Sequence, residues 1–273
     1  TDTGVNLLTP GETPYENAQF LLFLCAVIKA VDDYQDLLRI TVASAGNDHR
    51  LGANEAPPAI ISMYLGDDLG ELVDSIINDR EYVSKGKQKM RTGVDVLPDF
   101  MKDTSDRNRT SPFAFTGNKF EFRMLGSSDS VAPANVVLNT IVAESFKEIA
   151  DELEGAENFD MAVHDLIKKL FTDHKRIVFN GNGYSDEWVE EAARRGLPNI
   201  TSMVDAIPAL VTDKAVKLFE SFGVFTKAEL ESRVEIQYEA YSKAINIEAK
   251  SMIDIASKQI IPSVISYTTE LAG

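Results

Sequence analysis

The sequence predicts an α+β fold in which a small antiparallel sheet is followed by a mainly helical C-terminal region. Two short arms, residues 111–115 and 119–124, flank Thr116-Gly117-Asn118, and a Gly-Asn pair between such runs is typical of a β-hairpin. Beyond residue 130 the strand-like runs are replaced by capped helical patterns. We therefore expect a sheet-bearing domain over residues 1–130 and a helical domain over residues 131–273.

The part of the chain before the hairpin contains signals for helices and strands. Thr13 at a cap position, Pro14 in the first turn and Glu16 three residues after the cap together predict a helix start. The elements predicted in this part are helices over residues 14–31, 32–39 and 69–78, a buried strand over residues 59–65 and a short strand over residues 94–97.

The part after the hairpin is predicted to be helical. Helices are expected over residues 134–154, 159–173, 186–195, 213–222 and from 227 to about 260. Thr226 and Glu229 form a capping box for the last helix, and Pro262 should kink or stop it. The second half of that helix carries a broad apolar stripe, which either packs on the core or forms a subunit interface.

A Gly181-x-Gly183 pattern precedes the helix at residue 186. A phosphate-binding loop is disfavoured here, because Asp186 and Glu187 would repel a phosphate at the helix N-terminus. We therefore predict a structural turn.

The composition limits the kinds of partner. The net charge of −16 argues against nucleic acid or an anionic membrane surface. Residues 85–123 nevertheless carry nine Lys/Arg and five Asp/Glu, so this segment has a charge of +4 and the remainder −20. Such a basic segment would attract an anionic substrate, although scattered charge in a loop is the alternative. Cys25 lies in an apolar run too short to span a bilayer and is predicted to be a buried thiol in a reducing compartment.

The second arm of the hairpin alternates strictly between charged and apolar residues. Lys119, Glu121 and Arg123 fall on one face, and the intervening apolar residues fall on the other. A carboxylate between two cations suits a site that holds a divalent metal together with a phosphate. A solvated strand face with weak cross-strand charge pairs is the alternative.

Three ordered motifs support the first interpretation. Residues 47–58 have the sequence N-D-H-R-L-G-A-N-E-A-P-P, which contains His49-Arg50-Leu51 and Glu55-Ala56-Pro57. Asn108-Arg109-Thr110 and Lys119-Phe120-Glu121-Phe122-Arg123 follow. Together these motifs resemble the catalytic domain of glutamine synthetases, most closely the large bacterial type III class. The likeness covers residues 1–145 and continues more weakly to the end.

The resemblance implies an ATP-dependent ligase that forms L-glutamine from L-glutamate and ammonia through a γ-glutamyl phosphate, with Mg²⁺ or Mn²⁺. It implies that Glu121 ligates the metal and that Arg109 holds the ATP phosphates. Arg123 would bind the reacting carboxylate or the transferred phosphate, and Arg50 would bind a carboxylate of glutamate. Glu55 would close the site and accept the proton of ammonium. His49, at the basic position of the first motif, is expected to line the site.

The chain departs from the family pattern at one position of the second motif. The family usually carries a second Arg five residues after Arg109, whereas this chain has Ala114. The hairpin is also shorter than in the family. The family's other metal ligands precede the first matching position, so the resemblance implies that this chain alone is an inactive portion of the enzyme.

The resemblance further implies a cytoplasmic homo-oligomer, a double-ring dodecamer in the complete enzyme, with no nucleic acid or membrane partner. A non-catalytic binding or assembly domain of the same fold is the alternative. The Glu and Arg residues at every matching site favour the enzyme. We expect the charged ends of Arg109, Glu121 and Arg123 within ~10–12 Å of one another. The loop that carries Arg50 and Glu55 is expected to lie farther off or to be disordered, because it would lack partners from the rest of the enzyme.

Overall fold

A computed structural model describes residues 1–83 and 110–273 of the chain, together with the backbone of two short strands between them. The strand predicted over residues 94–97 lies outside the described residues. The α-helices are Ala18–Asp33 (α1), Gln35–Ile40 (α2), Ala45–Asp48 (α3), Asp67–Ile77 (α4), Ala132–Leu153 (α5), Phe159–His174 (α6), Asp186–Arg194 (α7), Met203–Ala206 (α8), Asp213–Ser221 (α9), Lys227–Ile255 (α10) and Ile261–Ala272 (α11).

Three of the strands form one small sheet. The strands are Met63–Tyr64 (β1), Lys89–Met90 (β2), Phe100–Met101 (β3), Phe113–Phe115 (β4) and Phe120–Phe122 (β5). The order in the sheet is β1-β4-β5, and β2 pairs separately with β3. The antiparallel pairing of β4 with β5 confirms the predicted hairpin. β1 joins β4 in parallel, so the sheet is mixed rather than wholly antiparallel.

The hairpin turn depends on a glycine. Thr116 N–H donates to Lys119 O at 2.8 Å, and Gly117 has a φ of +94°, which a side chain would disfavour. Opposite residues in the ladder are Phe113 and Phe122, and Ala114 and Glu121. The turn thus sets the register that puts Glu121 on the face predicted from the alternation.

The strand predicted over residues 59–65 is shorter than expected. Residues 59–63 are buried, but only Met63 and Tyr64 enter the sheet. The preceding residues pair instead with the helical region, because Ile200 N–H donates to Ala59 O at 3.3 Å and Ile60 forms an isolated bridge with Asn199. A buried apolar run therefore has a loop as its partner, not a strand.

The long helices pack on one hydrophobic core. α1 lies against α5 and α6, as its almost continuous apolar sequence requires. Cys25 is 1% exposed, and burial raises the pKa of its thiol to about 12. The prediction of a buried, free thiol is confirmed. Because both halves of the chain contribute to this core, it does not mark a boundary, and the division at residue 130 stays a prediction.

A buried carboxylate joins α1 to the end of α6. Asp32 is 3% exposed and accepts hydrogen bonds from Arg176 Nε at 2.8 and 3.1 Å. His174 Nδ1 lies 2.9 Å from the same carboxylate. Asp32, Asp33 and His174 could in principle hold a cation, but the guanidinium of Arg176 already neutralises Asp32. This cluster is therefore a structural ion-pair network.

A stretch that we name the bridging segment, residues 178–184, extends the sheet edge beside β1. Phe179 N–H donates to Met63 O at 2.9 Å, and the Asn180 side chain accepts from the N–H groups of Leu65 and Gly66 at 2.9 and 3.1 Å. The ring of Phe179 stacks on Trp188 of α7 with a centroid distance of 3.8 Å. These contacts fix the segment from both sides.

The last helix does not stop at Pro262. α10 ends at Ile255, a π-helical turn covers Ala256–Ile260, and α11 continues from Ile261. The wider turn precedes Pro262, whose missing N–H and ring would strain an uninterrupted α-helix. The capping box at Thr226 and Glu229 is present as predicted.

The apolar stripe of this helix does not pack on the core. Met252, Ile253 and Ile265 are each at least 60% exposed. The interpretation of the stripe as core is therefore wrong, and the subunit interface stays a prediction. Among the helices of the described ranges, none combines the length and apolarity needed to cross a membrane.

Candidate active site

A cavity of about 780 Å³ lies between the hairpin and the loop at residues 50–58. Its lining includes Arg50, Glu55, Glu121 and Arg123, four of the five side chains singled out in the sequence. Arg109, the fifth, lies outside the described residues. The expectation that the loop with Arg50 and Glu55 lies farther off or is disordered is wrong, because contacts within this chain hold the loop against the same cavity.

Glu121 lies on the cavity side of the hairpin, between the two cations predicted to flank it. Its carboxylate accepts from Arg123 Nη2 at 3.0 Å and from Thr116 Oγ1 at 3.2 Å, with Lys119 Nζ at 3.7 Å. Hydrogen bonding by Arg123, then by Thr116, and the charges of Arg123 and Lys119 hold the pKa of Glu121 below its ordinary value, although partial desolvation opposes this. Glu121 is therefore an ionised oxygen donor at neutral pH, with 40% of its side chain exposed.

Arg50 lines the same cavity and donates to a fixed set of acceptors. Its Nη1 donates to Asn47 Oδ1 at 2.7 Å and to Met124 O at 3.1 Å, and its Nε donates to Glu55 Oε1 at 3.1 Å. Asn47 is buried and also donates to Met124 O at 3.0 Å, so it links α3 to the end of the hairpin. The guanidinium is thus oriented before any substrate binds.

The base of the loop is anchored on the helical region. Asp48 accepts from Arg39 Nη2 at 3.2 Å and from the N–H of Met203 at 2.7 Å. Arg39 is 1% exposed, and burial lowers its pKa against the opposing effect of Asp48. His49 does not line the cavity, contrary to expectation; it faces Glu248 of α10 at 3.3 Å. Of the two neighbours His49 and Arg50, Arg50 lines the cavity and His49 does not.

The tip of the loop is compact but exposed. Leu51 and Ala56 form a bridge, and Gly52 N–H donates to the carbonyls of Ala56 and Pro57 at 3.2 and 3.0 Å. Gly52 has a φ of +76°, a conformation suited to glycine. Glu55 extends into solvent with 74% of its side chain exposed, so the carboxylate has room to change its partner.

The charge pattern of the cavity suits an anionic substrate together with a cation. Arg50 and Arg123 provide planar donors for carboxylate or phosphate oxygens. Glu121 and Glu55 provide the hard oxygen donors that Mg²⁺ and Mn²⁺ prefer. A six-coordinate ion needs about six oxygen ligands. Within the described ranges, the group of three side chains close enough to bind one cation lies at Asp32 and not in this cavity. These residues would therefore supply part of a metal site.

A second groove, of about 480 Å³, lies between α1 and α5 and has a different character. Its lining is apolar apart from Glu154, and Phe23 meets Phe146 edge to face at 5.0 Å. It offers no arrangement of ionisable groups, and we assign it no chemistry.

Several residues that shape the cavity were not singled out from the sequence. Asn47 stands three residues before Arg50, a helical spacing that could have pointed to it. Thr116 is adjacent to the hairpin turn, where a hydroxyl near the strand end is a usable signal. Tyr184 also lines the cavity, but it comes from a distant part of the chain and carried no local signal.

Comparisons with known proteins show what the chain is similar to. Residues 162–273 match the family model described as the glutamine synthetase C-terminal domain. The chain is 49% identical over 275 residues to a type-3 glutamine synthetase of Dictyostelium discoideum, covering 100% of this chain and 37% of that protein. It is 47% identical over 277 residues to a glutamine synthetase of Butyrivibrio fibrisolvens, with coverages of 100% and 39%. A glutamine synthetase of Bacteroides fragilis (strain YCH46) is 41% identical over 278 residues, with coverages of 99% and 38%.

The chain is thus similar over its whole length to glutamine synthetases, and its residues 162–273 match the C-terminal domain of that family. Its similarity to the type-3 protein extends over its full length, which confirms the resemblance to the type III class. The chain spans 37–39% of the length of these curated relatives.

Proposed function

We propose that this chain forms part of the active site of an ATP-dependent ligase that makes L-glutamine from L-glutamate and ammonia. The observation that carries the proposal is the cavity in which Arg50, Glu55, Glu121 and Arg123 meet. Two guanidinium groups and two carboxylates at one site match the needs of phosphoryl transfer to a carboxylate followed by attack of an amine.

Each cation of the cavity has a proposed part in binding. Arg50, fixed by Asn47 and Met124, would bind a carboxylate of glutamate. Arg123 would hold the reacting carboxylate or the phosphoryl group, moving its contact from Glu121 to the substrate. Arg109, as implied by its motif, would bind the ATP phosphates. Positioned Arg side chains would stabilise the charge that develops on the transferred phosphoryl group.

The two carboxylates would have distinct roles. Glu121 would contribute one oxygen ligand to Mg²⁺ or Mn²⁺, which would neutralise phosphate charge when bound. Glu55, on the exposed loop, would cover the cavity, exclude water from the γ-glutamyl phosphate and accept a proton from the attacking ammonium nitrogen. The hydrogen bond from Arg50 Nε to Glu55 Oε1 holds the loop near the cavity, which supports this role.

The wider setting belongs to the same proposal. We infer a cytoplasmic homo-oligomer, a double-ring dodecamer in the complete enzyme, with no nucleic acid or membrane partner. The exposed apolar stripe on α10 and α11 is a candidate contact between subunits. Among the described residues the proposal gives the ion one ligand, Glu121, whereas such an ion needs about six oxygens. The 273-residue chain by itself should therefore form no glutamine.

The role of Glu55 is tested by measuring ADP and glutamine together in the full-length enzyme. Glu55→Ala should release more than one ADP per glutamine, because water then competes with ammonia for the acyl phosphate. Glu121→Ala should lower both products by orders of magnitude. Glu157→Ala is the matched control, since Glu157 is exposed and lies outside the cavity.

Two results would count against the proposal. If ADP and glutamine fall together at unchanged stoichiometry in Glu55→Ala, then Glu55 is not the water-excluding acceptor. If all three variants retain full turnover, the chain is a non-catalytic binding or assembly domain of this fold.

A further inference from the structure

The bridging segment reaches the loop of Glu55 from a distant part of the chain. Tyr184 Oη donates a hydrogen bond to Glu55 O at 3.1 Å, across 129 positions of sequence. The acceptor is the backbone carbonyl, so the Glu55 carboxylate remains available to Arg50, to a cation or to a proton. The contact therefore positions the loop without occupying its functional group.

The same segment also contacts the second motif. Gly183 N–H donates to Thr110 O at 3.1 Å, and Thr110 directly follows Arg109. A Cβ at Gly183 would lie 2.1 Å from that carbonyl and 3.6 Å from Pro57 Cβ. The backbone of the bridging segment is thus packed against the second motif and against the loop at residues 50–58.

The bridging segment is rigid enough to act as a support. On one side, Phe179 and Asn180 form hydrogen bonds with β1 and with the residues that follow it. On the other side, the ring of Phe179 stacks on Trp188. Arg195 Nη1 donates to Val178 O at 2.8 Å, and Arg195 Cζ lies 5.5 Å from the Trp188 ring centroid. By contrast, residues 52–55 of the loop are all exposed, so few packing contacts restrain the tip.

We propose that Tyr184 is a positioning residue that holds the Glu55 loop over the cavity, so that the helical C-terminal region helps to set the coupling of phosphate transfer to amination. The proposal rests on the proposed function of Glu55. The hydroxyl of Tyr184 favours the closed loop and does not touch the reacting atoms.

The size of the effect follows from one hydrogen bond. The net contribution of such a bond corresponds to a change of about 2- to 13-fold in the ratio of closed to open loop. In Tyr184→Phe the ring stays and the hydroxyl is lost. Amide exchange at residues 52–55 should therefore accelerate by about 2- to 13-fold, because opening releases the Gly52 N–H from Ala56 O and Pro57 O.

The experiment uses the full-length enzyme with two readouts. Hydrogen exchange of peptides that contain residues 52–55 measures loop opening, and the ratio of ADP to glutamine measures coupling. Tyr238→Phe is the matched control, because Tyr238 Oη also donates to a backbone carbonyl, that of Val204 at 3.4 Å, away from the cavity. Faster exchange together with an ADP excess in Tyr184→Phe, and neither change in Tyr238→Phe, is the expected result.

The outcomes separate this inference from the proposed function. Unchanged exchange in Tyr184→Phe would overturn the positioning role. Faster exchange with an unchanged product ratio would also overturn it, provided that Glu55→Ala is uncoupled in the same assay. If Glu55→Ala itself remains coupled, the proposed role of Glu55 fails, and the claim that Tyr184 acts on coupling fails with it.

Discussion

Replacement of Gly183 by alanine would place a methyl group where the structure leaves no room. The new Cβ would lie 2.1 Å from Thr110 O, whereas ordinary contacts begin at 3.4 Å. The two backbone segments would have to separate by the difference, about 1.3 Å. Such a shift would break the hydrogen bond from Gly183 N–H to Thr110 O.

The free energy of unfolding should fall by about 2 kcal/mol in Gly183→Ala. Overpacking of this kind costs about 1–3 kcal/mol, and the lost hydrogen bond contributes about 0.5–1.5 kcal/mol. The smaller conformational freedom of alanine in the unfolded chain offsets about 0.4–1 kcal/mol of this loss. The cost of overpacking and of the lost hydrogen bond exceeds the gain from the lower entropy of the unfolded chain, so the variant should be less stable than the wild type.

Guanidinium unfolding of the chain, followed by Trp188 fluorescence, measures the effect. Trp188 is the single tryptophan of the sequence and stacks on Phe179 of the bridging segment. Gly46→Ala is the control, because Gly46 is exposed in α3 and a Cβ there meets nothing within 4 Å; it should gain about 0.5–1 kcal/mol. A Gly183→Ala chain as stable as Gly46→Ala would refute the close approach of the two segments.

Two further predictions concern charged groups. Asp32→Ala should lower the free energy of unfolding by about 2–3 kcal/mol, because Arg176 and His174 lose a buried acceptor. The control Asp151→Ala, which removes an exposed pair with Lys147, should barely change the free energy of unfolding. Equal losses in the two variants would contradict this prediction. The lowered pKa of Glu121 means that its pairing with Arg123 stabilises the fold above the unfolded pKa near 4.5 and is lost as the pH falls through the folded value. The difference in the free energy of unfolding between the wild type and Arg123→Gln should therefore be constant above about pH 5.5 and shrink below about pH 4.5. Denaturation between about pH 3 and 7 measures this difference. A difference that persists unchanged at about pH 3 would be inconsistent with this linkage.

The residues that local spacing determines were recognisable from the sequence. The alternation from Lys119 to Met124 predicted the face on which Glu121 lies, because side chains along a strand alternate regardless of what packs on them. The capping box at Thr226 and Glu229 was predictable for the same reason, since its partners are three residues apart. The motifs around Arg50 and Glu121 indicated the resemblance to glutamine synthetases without any knowledge of the contacts.

The tertiary structure decided how these local pieces meet. β1 was reduced to Met63 and Tyr64 because the neighbouring buried residues pair with a loop near residue 200, which no local pattern signalled. The apolar stripe on α10 and α11 is exposed rather than buried, since apolar periodicity indicates a face but not what covers it.

The cavity depends on contacts between segments that are far apart in the sequence. Arg50 and Glu55 lie near Glu121 because Asn47 and Met124 orient one wall. Tyr184 reaches the loop from 129 residues away. Hydrogen bonds between distant segments depend on the path of the whole backbone, whereas capping and alternation depend on a few neighbouring residues. The sequence by itself therefore identified the candidate side chains and the family that they resemble, and only the tertiary structure decided that four of them share one cavity and that Tyr184 contacts its loop.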